Sequence, residues 1–163
     1  MTTSDLADTP IITPKSLEIH KKAYDYWCSL CKEHEVPRYH DMKPAEIIEL
    51  LPNMVIFDVL NKPRDFRYRM IGKEVERHNA GSFTGKRLSE MPGKGKDSLI
   101  WQHFSNIVKG QKPSAKNLPY VGPLKDFKQI SIMAFPFSDD DNIVNKIMII
   151  AGYHHINGDY VPE

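Results

Sequence analysis

The 163-residue chain reads as an α+β fold: a five-stranded antiparallel sheet in spatial order 2-1-5-4-3, with helices on one face and an N-terminal helix on the other. Three observations predict it. Residues 17–34 carry their apolar and aromatic side chains at helical spacing. Five later segments have strand length and strand composition, two before a helical middle and three after it. The first and last of these strands are apolar on both faces, whereas the second alternates and the third is polar, which assigns centre and edges respectively.

Taken in order, Thr13-Pro14 offers a helix start, with Thr as N-cap and Pro at the first helical position, where its missing N–H costs nothing. Leu17, His20, Tyr24, Trp27, Cys31 and His34 then share one face, and that stripe holds no Lys, Arg, Asp or Glu. Val36-Pro37 ends the helix. A second, short helix is expected from Pro44, carrying Ile47, Ile48 and Leu51 and closing before Pro52. From Asn53 the period changes. Residues 54–60 form a nearly continuous apolar run, residues 61–65 a turn, and Phe66, Tyr68 and Met70 alternate with Arg67 and Arg69, so an antiparallel hairpin is expected. Residues 72–91 keep no sustained period and read as short helices and loops, and 92–96 as a loop. Asp97 is the expected cap of a helix with apolar face Ile100, Trp101, Phe104, Ile107 and Val108, stopped at Lys109-Gly110. Strands follow at 114–121, 127–137 and 146–154, the last two joined by an acidic turn over 139–142.

Composition narrows the function classes. One domain of this length buries a core without disulfides or metals. The hydrophobic fraction of 40% and charged fraction of 26% are ordinary for a globular protein. With 22 basic against 21 acidic residues, the net charge of +1 gives no general attraction to nucleic acid or an anionic membrane. The acidic, polar start does not read as a signal peptide, and no apolar run is long enough to span a bilayer. A cytoplasmic location is expected.

The segments Leu50-Leu-Pro-Asn-Met54 leading to Phe57-Asp-Val59, then 66–72 (FRYRMIG) and 81–88 (GSFTGKRL), in that order, resemble the PAS_5 family of bacterial single-domain PAS proteins. Trp27 and Val36-Pro-Arg38 are similar to that family's N-terminal helix and its exit. The resemblance runs from about residue 20 to 155. The chain is expected to divide into a flexible tail (1–12), an N-terminal helical extension (13–52), a PAS-like domain (53–156) and a C-terminal tail (157–163). The resemblance implies a sensory or interaction role. With no output segment after Tyr153, a signal is expected to leave through a signalling partner protein or through self-association as a homodimer.

Each motif has an ordinary reading beside its functional one. Gly81-Ser-Phe-Thr-Gly85-Lys86 has one residue too few for a phosphate loop, and Arg87 stands where Ser or Thr would hold magnesium; a turn is the better reading. Cys28 and Cys31 lie mid-helix, away from the N-terminal dipole that activates redox thiols, and lack a second pair for zinc. The seven histidines are scattered; His78 and His103 fall in the helical middle, where haem ligation competes with ordinary packing. The acidic turn lacks the glycine and distal glutamate of a calcium loop. No metal and no particular cofactor is implied, and no catalytic residue is named by a motif.

The expected function is therefore a stand-alone sensory module, not an enzyme, that binds a small-molecule ligand, a partner protein, or both. The cavity candidates are Tyr68, Met70, His78, Phe83, Trp101, Phe104, Tyr120, Met133, Phe135 and Tyr153, a set that equally describes a filled core. A ligand-free interaction or dimerisation module is the alternative, with Tyr24 and Trp27 as its surface. A small isomerase- or dehydratase-like enzyme is the third, with Asp58 as its one candidate acid, because it alone among the carboxylates sits in a strongly apolar strand.

Overall fold

The structure, a computed structural model, describes residues 17–31, 36–79, 81–120, 122–124, 127–139 and 143–155. The expected tails, the Thr13-Pro14 cap, His34 and most of the acidic turn lie outside the described residues. Helix α1 (Glu18–Cys31) leads through three short 3-10 turns to β1 (Met54–Leu60) and β2 (Asp65–Ile71). Helix α2 (Lys73–Asn79), a 3-10 turn at Leu88–Glu90 and helix α3 (Leu99–Gly110) form the middle. Strands β3 (Ser114–Pro119), β4 (Phe127–Ser138) and β5 (Val144–His155) complete an antiparallel sheet of order β2-β1-β5-β4-β3.

The sheet separates two apolar clusters. Side chains alternate across each strand, so Val55, Phe57 and Val59 of β1, Ile132 and Ala134 of β4, and Ile147, Ile149, Ala151 and Tyr153 of β5 face α2 and α3. Met54 and Ile56, Met133, Phe135 and Phe137, and Met148 and Ile150 face α1. Helix α1 covers this second face with His20, Ala23 and Trp27, all buried. The Trp27 indole N–H donates to the Pro136 carbonyl at 2.9 Å and its ring tilts against Phe135 at 6.3 Å.

Four local expectations differ from the structure. The helix expected from Pro44 is a pair of 3-10 segments, Pro44–Glu46 and Ile48–Asn53, with Pro52 inside the second. Its buried residues are Ile47, Leu50 and Asn53, at the spacing of three that a 3-10 turn stacks on one side, while Ile48 is 64% exposed. The N-cap of α3 is Ser98 rather than Asp97, since its hydroxyl accepts from the Trp101 N–H at 3.2 Å. That helix closes at Gln111 in the left-handed region, one residue beyond Gly110. Finally, β2 does not alternate throughout. Ile56 pairs with Met70 but Phe57 with Tyr68, so Arg69 is the extra residue of a β-bulge and the strand changes face there.

Gly72 marks the tightest junction. A Cβ at this position would lie 2.2 Å from the Leu51 carbonyl oxygen, so the 3-10 segment can approach the β2–α2 connection only if residue 72 is glycine. Among the described residues, no helix is long and apolar enough to cross a membrane.

Candidate functional site

Between the sheet and the helical middle lies a cavity of about 610 Å³. Its floor is the sheet: Val55 and Phe57 of β1, Tyr68 of β2, Ile130 and Ile132 of β4, and Ile149, Ala151 and Tyr153 of β5. Val75 and Asn79 of α2 and the first residues of α3 form one wall. Phe83 and the Met91–Lys94 loop form another, and the segment after β3, with Tyr120, Gly122 and Pro123, borders the mouth. The aromatic side chains are mutually braced. Phe57 packs on Tyr68 with ring centroids 4.5 Å apart, and Phe83 stands edge-on to Tyr68 at 5.7 Å. His78 stacks on Tyr153 at 3.5 Å, while Tyr120 meets Tyr153 edge-on at 6.1 Å and gives its hydroxyl hydrogen to the His78 carbonyl at 2.7 Å.

Among the described residues, one cation enters this apolar space. Gly93 has φ of 76°, the left-handed turn that carries the loop back toward the sheet. The next residue, Lys94, extends its ammonium over the rings of Phe83 (5.2 Å) and Tyr68 (5.6 Å) and donates to the Tyr68 hydroxyl oxygen at 3.0 Å. Burial pushes the Lys94 pKa below its ordinary value. Burial also raises the phenols of Tyr68 and Tyr153 well above the usual range, so both keep their protons.

A family model for the PAS domain, PAS_5, matches residues 16–148. The chain belongs to the PAS_5 family. No curated protein matches it. PAS domains are sensory and interaction modules, and the match takes in α1 together with all but the end of the sheet. The strand order and the covering of the two sheet faces agree with the fold read from the sequence.

Within this PAS domain the ten cavity candidates separate. Tyr68, Phe83, Tyr120 and Tyr153 line the cavity. Met70 does not, because the bulge at Arg69 turns it to the α1 side. Met133 and Phe135 are on that side as well, since Ala134, not its neighbours, shares the face of Ile132. Trp101 and Phe104 belong to the cavity-side core but pack edge-on against Phe66, at 5.1 and 5.3 Å, in its closed part. His78 backs Tyr153 without entering the lining, and His103 is buried on α3 outside it, so neither faces the cavity as a haem ligand would. Trp27 is a core residue with only 6% exposure and offers no surface to a partner, while Tyr24 is half-buried beside it.

Asp58 is also on the α1 side, in β1 register with Arg67 and Lys146. It pairs with Lys146 at 3.1 Å, Arg67 at 3.2 Å and Arg69 at 3.7 Å. The whole thickness of the sheet separates it from the cavity. Cys28 is exposed and Cys31 half-buried; burial raises the Cys31 thiol to about 11, the opposite of activation. Among the described residues no group of three His, Cys, Asp or Glu could hold a metal ion.

Two kinds of lining residue illustrate what sequence reasoning missed. Ile149 and Ala151 share the parity of Tyr153 and follow from it once that residue is placed inward. Lys94 carries no signal of its own: a lysine between glycines in a loop reads as solvated, and only the fold turns it inward.

Proposed function

We propose that this chain is a cytoplasmic, non-catalytic sensory module that takes a small molecule into the cavity between its sheet and helical middle and reports occupancy to a signalling partner, either another protein or a second copy of itself. The cavity carries this reading. Its volume of about 610 Å³ falls in the range of roughly 300–1,000 Å³ typical of small-molecule sites. Apolar walls with a few polar groups, here Lys94, Asn79 and the tyrosine hydroxyls, are the usual lining of such sites. Binding rather than catalysis is supported by the position of Asp58, which three cations neutralise on the far side of the sheet.

Native mass spectrometry of the purified protein, beside its denatured mass and absorption spectrum, tests the reading. The expected result is extra mass that leaves on denaturation, or that appears on adding small apolar compounds. An unliganded mass that no such compound changes would contradict it. For comparison, Ala151→Phe, which places a ring in the cavity floor, should abolish uptake while leaving the far side of the sheet untouched.

A further inference from the structure

We propose that the ligand is a small organic acid, its single anionic head held by the Lys94 ammonium and the Tyr68 hydroxyl and its apolar body lying along the sheet. The inference rests on the reading of the cavity as a ligand site.

The argument begins with an imbalance of charge. Lys94 projects into an apolar space, where an ammonium without a counter-ion is costly. The aromatic faces of Phe83 and Tyr68 and the hydrogen bond to Tyr68 offset part of that cost. No carboxylate does so: Lys94 forms no ion pair among the described residues, and burial alone accounts for its lowered pKa. Asp97, the carboxylate in the lining, is exposed and unpaired with Lys94. A lysine in a wall that only needed to be closed could be replaced by any apolar residue without this cost. Its presence fits a partner that arrives with the opposite charge.

The geometry around Lys94 suits one oxyanion. The Tyr68 oxygen accepts from Lys94, which leaves its own O–H as a donor, and burial keeps that proton in place. Two donors 3.0 Å apart can converge on one carboxylate. Beyond them the floor of Val55, Ile149 and Ala151 offers only apolar surface, suited to a ring or short hydrocarbon rather than to a sugar or a second charge.

The test uses matched pairs of aromatic acids and their carboxamides, from phenylacetate with phenylacetamide to 1-naphthylacetate with 1-naphthylacetamide, titrated calorimetrically into the full chain and into Lys94→Gln. Acids should bind the wild type roughly ten- to a hundredfold more tightly than their amides, as for a hydrogen bond to a charged group. That preference should vanish in Lys94→Gln. Equal binding of acid and amide, unchanged by the substitution, would overturn the acid inference and leave the cavity reading standing. Binding of neither by either protein would remove both. If Lys94→Gln does not fold, the Lys94 ε-methylene resonance of the wild type decides: it should move with the acid and stay with the amide, and the reverse overturns the inference.

Discussion

The two faces of the sheet are built from the same strands yet solve different problems. On the α1 face the 14-residue helix, joined by Ile47 and Leu50 of the 3-10 segments, covers Met54, Met133, Phe135, Met148 and Ile150, and flexible methionines and large rings fill the interval. On the other face the cover is broken into a 7-residue helix, a 12-residue helix and loops. Rings close one part, where Phe66, Trp101 and Phe104 interlock, but Val55, Ile132, Ile149 and Ala151 lie beneath the gaps between the pieces. Short covering elements over small and branched side chains leave the cavity. Continuous cover over long side chains does not. The fold thus fills one face of the sheet and leaves the other open.

Adjacent residues of β5 sharpen this contrast most. Ile150 is fully buried under α1 and Ile149 lines the cavity. Ile150→Ala should cost about 4 kcal/mol, because it opens a void in a filled core, and Ile149→Ala about 2 kcal/mol, because it enlarges space that already exists. Urea denaturation of the two variants measures the difference. Equal losses would break the distinction between the faces.

Acid should weaken both faces at once. Burial lowers His20, on the sheet-facing side of α1, to about 4 despite the hydrogen bond from its ring to the Ile150 carbonyl. Burial, aided by the charge of Lys116, lowers His103 on α3 to about 4 as well. The unfolded chain protonates each ring near the ordinary value of about 6.5, while the folded chain resists until about 4. The unfolded state therefore binds more protons in that window. Stability is complete above the upper value and falls as pH drops through the window, by up to about 3 kcal/mol for each histidine. Urea unfolding should show a loss of about 2 kcal/mol for each of these two histidines between pH 7 and pH 5, and His103→Leu should remove one such share, while His78 and His154, which burial also lowers, add to the remainder. An unchanged midpoint would show that the rings are not buried as described.

The smallest expected effect is that of Asp58→Asn. Removing the carboxylate leaves Arg67, Arg69 and Lys146 mutually repelling, but the arginines are substantially solvated. A loss of about 1–2 kcal/mol is expected in thermal or urea unfolding. Small-molecule uptake should not change. Lost uptake with an intact fold would restore Asp58 as a functional carboxylate.

The sheet order was legible because burial writes itself into strand composition: two strands apolar on both sides must be central, and a polar one must be an edge. The N-terminal stripe was legible for the same reason, and it identified Trp27 correctly as apolar-facing while leaving open what it faced. The cavity was only partly legible. Period two says which residues of a strand share a face but not which face, so composition alone groups Met133 and Phe135 with Tyr153 although their register places them opposite. The bulge at Arg69 has no marker in FRYRMIG and reverses Met70. Ser98 and Asp97 are equally good caps on paper, and the chain uses the one whose hydroxyl reaches Trp101. Lys94 is set by a loop conformation, which local composition does not encode.

The central claim, that one face is filled and the other open to a ligand, is tested most directly by the isoleucine methyl spectrum of the protein under xenon pressure, since xenon enters apolar cavities without needing a specific contact. Ile130, Ile132 and Ile149 should shift with pressure while Ile56 and Ile150 stay fixed. Shifts on both faces alike, or on neither, would contradict the account.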